Sequence, residues 1–86
     1  MRVAVKLNEC IELCEISRVI ERRVCGANPY SRELVFIPAT PIAKAYVLNT
    51  SVLRAEAILQ EVFDNGYCSL TSDSSVRLVD WEEGDE

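Results

Sequence analysis

Between Ile42 and Gly66, in the run IAKAYVLNTSVLRAEAILQEVFDNG, a strand signal, helix-capping side chains, a helical apolar stripe and a helix stop follow one another without conflict. No other stretch constrains the fold as tightly. Alternation over Ala43–Leu48 sets Ala43, Ala45 and Val47 on one face, and Lys44, Tyr46 and Leu48, with Ile42, on the other. Asn49, Thr50 and Ser51 are three successive residues whose side-chain oxygens accept bonds from the orphan N–H groups of a helix start. Val52, Ala55, Leu59, Val62 and Phe63, with Ile58 beside them, then form a stripe of helical period, with Arg54, Glu61 and Asp64 opposite. Asp64-Asn65-Gly66 ends it, because glycine tolerates the left-handed conformation that terminates a helix. A strand feeding straight into an amphipathic helix shares a core with it, and the small Ala43 and Ala45 allow close approach.

The N-terminal third gives a second strand–helix pair. In Arg2–Leu7, Val3, Val5 and Leu7 alternate with Arg2, Ala4 and Lys6, as in a strand with one buried face. Asn8 is a helix cap, and Leu13, Ile16, Ser17, Ile20 and Val24 recur at helical spacing, with Cys10 alongside, up to a stop at Cys25-Gly26 and Pro29. Glu9, Glu12 and Glu15 occupy the first half of this segment and Arg18, Arg22 and Arg23 the second, an arrangement that complements a helix macrodipole. Ile11 and Val19 fall off the stripe, and Ile11 shares an outer row with Glu15, Arg18 and Arg22. An apolar residue framed by charges on an outer face is a candidate binding patch, although single exposed apolar residues are ordinary.

The remaining segments are short. Residues 27–31 read as a loop, Glu33–Ile37 as a strand, and Pro38-Ala39-Thr40-Pro41 as a tight connection lacking two ladder donors. Tyr67–Ser75 is polar and turn-rich, Val76–Trp81 reads as a last edge strand, and Glu82–Glu86 is an acidic tail. The expected order is β-α-β-β-α-β. That order predicts an α+β domain over 1–81 of ferredoxin-like form, a four-stranded antiparallel sheet with two helices on one face, followed by the tail at 82–86. In such a fold the strands Arg2–Leu7 and Ala43–Leu48 lie side by side at the centre. Val3, Val5, Leu7, Ala43, Ala45 and Val47 then face the helices, and an open sheet face carries Arg2, Ala4, Lys6, Lys44 and Tyr46 with Arg77. A one-residue register slip reverses that assignment.

Eighty-six residues make one domain near the lower end of what folds unaided, burying roughly 60% of its unfolded surface. Nearly half the chain is apolar and about a quarter charged, which is a globular composition. A formal charge of −5 opposes general binding to polyphosphates but leaves room for one local basic face. Lys6 comes too soon after Met1 for a secretory apolar core, and Pro38, Pro41 and Lys44 interrupt the longest apolar stretch. A cytoplasmic protein with no membrane contact is expected. Cys10, Cys14, Cys25 and Cys68 follow no zinc-ribbon or redox spacing, so they read as small apolar residues in a reducing compartment.

Histidine is absent, which removes the usual general base and the commonest metal ligand. Gly26, Gly66 and Gly84 stand alone, so no phosphate-cradling loop exists, and no Ser or Cys sits in a nucleophile elbow. No enzymatic activity, cofactor or metal is expected. Three kinds of binding remain. The expected strand order, with AKAYVLN preceding an amphipathic helix, resembles an RNA-recognition motif, a family that stacks bases on exposed aromatics of its central strands. Here VAVKLN offers Ala4 where that family needs an aromatic, and the other central strand supplies Lys44 and Tyr46, so the resemblance implies an open basic face of Lys6, Lys44 and Tyr46 with most of the stacking energy missing. A small-molecule regulatory module is the second kind, with the loop at Asn28–Arg32 and the sheet-face lysines able to hold an anion. The reading that needs fewest special features is a protein-binding module, an adaptor or inhibitor, recognising its partner through Ile11, Glu15, Arg18 and Arg22, with a homodimer as one form of that partnership.

Overall fold

The computed structural model describes residues 1–7, 9–23, 29–39, 44–73 and 76–81. They form one helix and a single curled six-stranded sheet. The elements are β1 (Arg2–Leu7), β2 (Cys10–Arg22), β3 (Ser31–Pro38), β4 (Lys44–Ser51), α1 (Val52–Asn65), β5 (Tyr67–Ser69) and β6 (Val76–Asp80). The strand order is β5-β1-β2-β3-β4-β6. Strands β1 to β4 form an antiparallel meander, β5 adds parallel to β1 at one edge, and β6 adds antiparallel to β4 at the other. The sheet curls until β1 and β6 come into contact.

The ferredoxin-like expectation is therefore overturned, and the reason lies in β2. The segment expected to be the first helix is a strand of 13 residues. Drawn straight, such a strand would span about 40 Å at the usual rise, more than the 32 Å of the molecule's longest axis, so it bends. The bend is a β-bulge. Ile16 opposes Pro38 and Arg18 opposes Ile37, which leaves Ser17 as an extra residue whose hydroxyl donates to the Ile37 carbonyl at 3.1 Å. Before the bulge β2 pairs with β1 (Arg2 with Glu15, Ala4 with Leu13, Lys6 with Ile11), and after it with β3. One inserted residue turns a period of two into a spacing of three at Ile16–Val19, and that spacing mimics a helical stripe. The residues themselves favour a strand, since Ile11, Ile16, Val19 and Ile20 are β-branched. Glu9 turns the β1–β2 hairpin at φ 68°, in the left-handed region that two-residue hairpins demand. Asn8, Val24, Cys25 and Gly26 lie outside the described residues, as do the connection at 40–43 and the tail at 82–86.

Apart from the short β5, the other elements lie close to their expected places along the chain. Ser51 caps α1, accepting from the Arg54 N–H at 3.1 Å, and Gly66 ends it at φ 67°, its N–H bonding the Val62 carbonyl at 2.9 Å. Ala55, Ile58 and Val62 bury the helix against the sheet, where Val3, Val5, Leu34, Phe36 and Leu48 meet them. Fully burying a side chain such as Ile58 contributes roughly 1.5–3 kcal/mol. Phe63, expected in the stripe, is 79% exposed.

The strands Arg2–Leu7 and 43–48 are not neighbours, because β2 and β3 separate them. Nor does the expected parity hold in β4. Tyr46 and Leu48 face the helix, whereas Ala45 and Val47 point to the opposite, outer face. There Trp81 covers them together with Val35, flanked by Ile20, Ile37 and Val79. With Ala45, Tyr46, Val47 and Leu48 all buried, the middle of β4 has no solvent side, and only its ends, at Lys44, Asn49 and Ser51, are exposed. The short strand β5, absent from the sequence-based order, is tied to β1 by two further bonds, from the Arg2 N–H to the Gly66 carbonyl at 2.8 Å and from the Leu70 N–H to the Ala4 carbonyl at 2.7 Å.

Candidate functional site

The outer face of the sheet has two halves. Over β3, β4 and β6 it is closed by Trp81. Over β5, β1 and the first half of β2 it stays open, and there cross-strand register decides which side chains meet. Three rows result. Tyr67, Arg2 and Glu15 form one, Ser69, Ala4 and Leu13 the next, and Lys6 with Ile11 the last. Ile11 is 66% exposed and Leu13 58%, two branched aliphatic side chains side by side on a strand. Tyr67 adds a half-exposed ring at the margin. Ala4, nearly buried, is the smallest side chain of this face and lies level with Leu13. Around these apolar groups stand charges of both signs. Arg2 Nε donates to a Glu15 carboxylate oxygen at 3.2 Å, both side chains being well exposed, so the pair itself contributes under about 1 kcal/mol.

The structure redistributes the residues singled out in the sequence. Ile11 and Glu15 lie on this open face, and Lys6, expected on a different surface, is the direct cross-strand neighbour of Ile11. Arg18 and Arg22 follow on the same side of β2 beyond the bulge. Arg22 is held there by the Glu33 carboxylate and stacks over the Trp81 ring at 5.4 Å, while Arg77 reaches the same carboxylate at 3.5 Å. The expected open basic face does not form. Lys44 donates to Asp80 at 2.7 Å, and Tyr46 is buried on the helix side, its hydroxyl accepting from the Cys14 thiol at 3.2 Å. Leu13 is the contributor that sequence reasoning assigned to a core stripe. Its signal was the alternation Ile11-Glu12-Leu13, which places two apolar side chains on one strand face.

No perturbed group is tuned towards neutral pH. The Cys14 hydrogen bond, with burial second, raises the Tyr46 phenol well above its ordinary value. Burial, reinforced by the Glu61 carboxylate, pushes the Cys68 thiol up to about 12. Asp73 raises the Arg54 guanidinium through a hydrogen bond, and Lys44 holds Asp80 below the usual carboxylate range in the same way. Each shift moves its group away from the window in which a general acid or base works. Among the described residues no three Cys, Asp or Glu side chains gather into a metal-binding group, and no helix is long and apolar enough to cross a membrane. No protein-family model matches the chain, and no curated protein or solved structure matches it either.

Proposed function

We propose that this chain is a protein-binding module, an adaptor or inhibitor acting inside cells without catalysis, and that it recognises its partner through the open outer face of β1 and β2. The observation that carries the reading is the exposed pair Ile11 and Leu13, framed by Arg2, Lys6 and Glu15 on a paired strand hairpin. Apolar side chains held proud of a sheet and ringed by charge favour a partner that buries them and meets the rim charges. The free thiols of Cys10, Cys14 and Cys68 suit a reducing, cytoplasmic setting. The nucleic-acid reading leaned on Lys6, Lys44 and Tyr46, of which Lys44 is engaged with Asp80 and Tyr46 with Cys14. The small-molecule reading leaned on the sheet-face lysines and on the loop at 28–32, where Asn28 lies outside the described residues and Arg32 donates to the Pro29 and Ser31 carbonyls. The test compares the tagged protein with an Ile11→Glu, Leu13→Glu double variant as bait in extract of the native cell, with captured proteins quantified by mass spectrometry. A partner held by the unmodified chain and lost by the folded double variant supports the reading. Identical capture by both removes this face from consideration.

A further inference from the structure

The open face is complementary to itself, and we infer that the partner it fits is a second copy of this chain. The inference rests on the reading above and narrows it. Cross-strand register puts Arg2 level with Glu15, Ala4 level with Leu13, and Lys6 level with Ile11. A two-fold axis running parallel to the strands, between β1 and β2, lays β1 of one copy over β2 of the other without changing level. Three contacts follow from that one operation, each made twice. Leu13 of one copy, 58% exposed, seats over Ala4 of the other, the smallest side chain of the face. The aliphatic stem of Lys6 covers Ile11, 66% exposed, while its ammonium reaches solvent. Arg2 of each copy meets Glu15 of its mate, so a pair that is intramolecular in the single chain becomes a four-charge network across the junction. The same patch serves both subunits, as an isologous interface requires. Stacked sheets pack with their strands inclined by about 30°, which keeps the central Ala4–Leu13 contacts together while the ends splay.

The face is three strands wide, or about 14 Å at the usual spacing, so it falls at the low end of interface sizes, below the roughly 800 Å² per partner of a standard complex. Association in the micromolar range is expected.

Sedimentation velocity on the purified full chain, from about 5 to 500 μM, reads such an equilibrium. A concentration-dependent dimer is the expected result, and Arg2→Glu or Glu15→Arg alone weakens it at least tenfold by placing like charges across the junction. The deciding arm mixes those two variants in equal amounts. The carboxylate introduced in one chain then faces the guanidinium introduced in the other, and the unaltered Arg2 and Glu15 face each other as before. The mixture therefore dimerises at least tenfold more tightly than either variant does alone. Circular dichroism confirms that each variant is folded, and Leu13→Glu, which alters no charge pair, abolishes the dimer as well. An unmodified chain that stays monomeric throughout overturns the inference. So does a dimer indifferent to these variants, or a mixture that fails to associate. A monomeric chain that still captures another protein through Ile11 and Leu13 overturns self-pairing alone and leaves the wider proposal standing.

Discussion

Replacing Trp81 with alanine tests whether the outer face of the sheet is a second core. The indole is 9% exposed and covers Val35, Ala45 and Val47, which are themselves essentially inaccessible to solvent. Burying about 200 Å² of aromatic surface at about 25 cal/mol per Å² is worth about 5 kcal/mol, and about 3.5 kcal/mol once partial burial in the denatured chain is allowed for. The Arg22 guanidinium over the ring adds about 1 kcal/mol. Against this stands the indole Nε1, buried with no hydrogen-bond partner among the described residues, a stranded donor that costs about 2 kcal/mol. The balance is a loss of about 2.5 kcal/mol on Trp81→Ala, or a melting temperature lower by about 10–20 °C for a chain of this size. Trp81→Phe keeps a ring on the cluster and removes the stranded donor, so it stays within about 1 kcal/mol of the unmodified protein. Thermal unfolding followed by far-ultraviolet circular dichroism reads both, since the alanine variant lacks the chain's single tryptophan. A shift below about 4 °C for Trp81→Ala, or equal damage from both variants, refutes the account.

The ends of α1 and the alkaline limb of stability give three further expectations. Ser51→Ala removes the cap on the Arg54 N–H and lowers stability by about 1 kcal/mol, read as a lower urea midpoint at unchanged slope. At Gly66 a Cβ would meet no atom within 4 Å, so Gly66→Ala reports backbone strain at φ 67° alone, about 1–2 kcal/mol by the same measurement, and a larger loss would mean an unforeseen contact. The folded protein holds the Cys68 proton more tightly than the unfolded chain does, with the thiol raised from 9.0 to about 12. Its contribution is therefore complete below about pH 9 and is lost as pH climbs towards 12, by at most about 1.4 kcal/mol per pH unit. Tyr46, also raised, acts in the same sense, and a Cys68→Ser variant should flatten that limb of the pH–stability curve.

Where residue chemistry was local, the sequence was enough. Asn49-Thr50-Ser51, the apolar stripe and Gly66 located α1 because caps and stops act over one turn, and the alternation of Val3, Val5 and Leu7 located β1. Where a single inserted residue decided, it was not enough. Ser17 has no signature that separates a bulge from a helical position, and the glutamate-to-arginine gradient along β2 suits a helix dipole as well as a strand. The faces of β4 were undecidable for another reason. Alternation assigns a side only when one side is wet, and Trp81, distant in sequence, keeps Ala45 and Val47 dry. β5 escaped notice because its three residues carry almost no periodicity and owe their pairing to β1, more than sixty positions earlier. For the candidate site, Ile11, Glu15 and Lys6 were legible singly. Their meeting was not, since it depends on β2 folding back on β1.

Both margins of the sheet are supplied by the last third of the chain, β5 closing β1 and β6 closing β4. During synthesis the four-strand meander therefore emerges with two raw rims, and it waits for residues 67–80 to sheath them. Until then those rims are templates for any passing strand, including one from a neighbouring nascent copy. A chain cut short after α1 is thus expected to be lost to aggregation, not merely to be less stable.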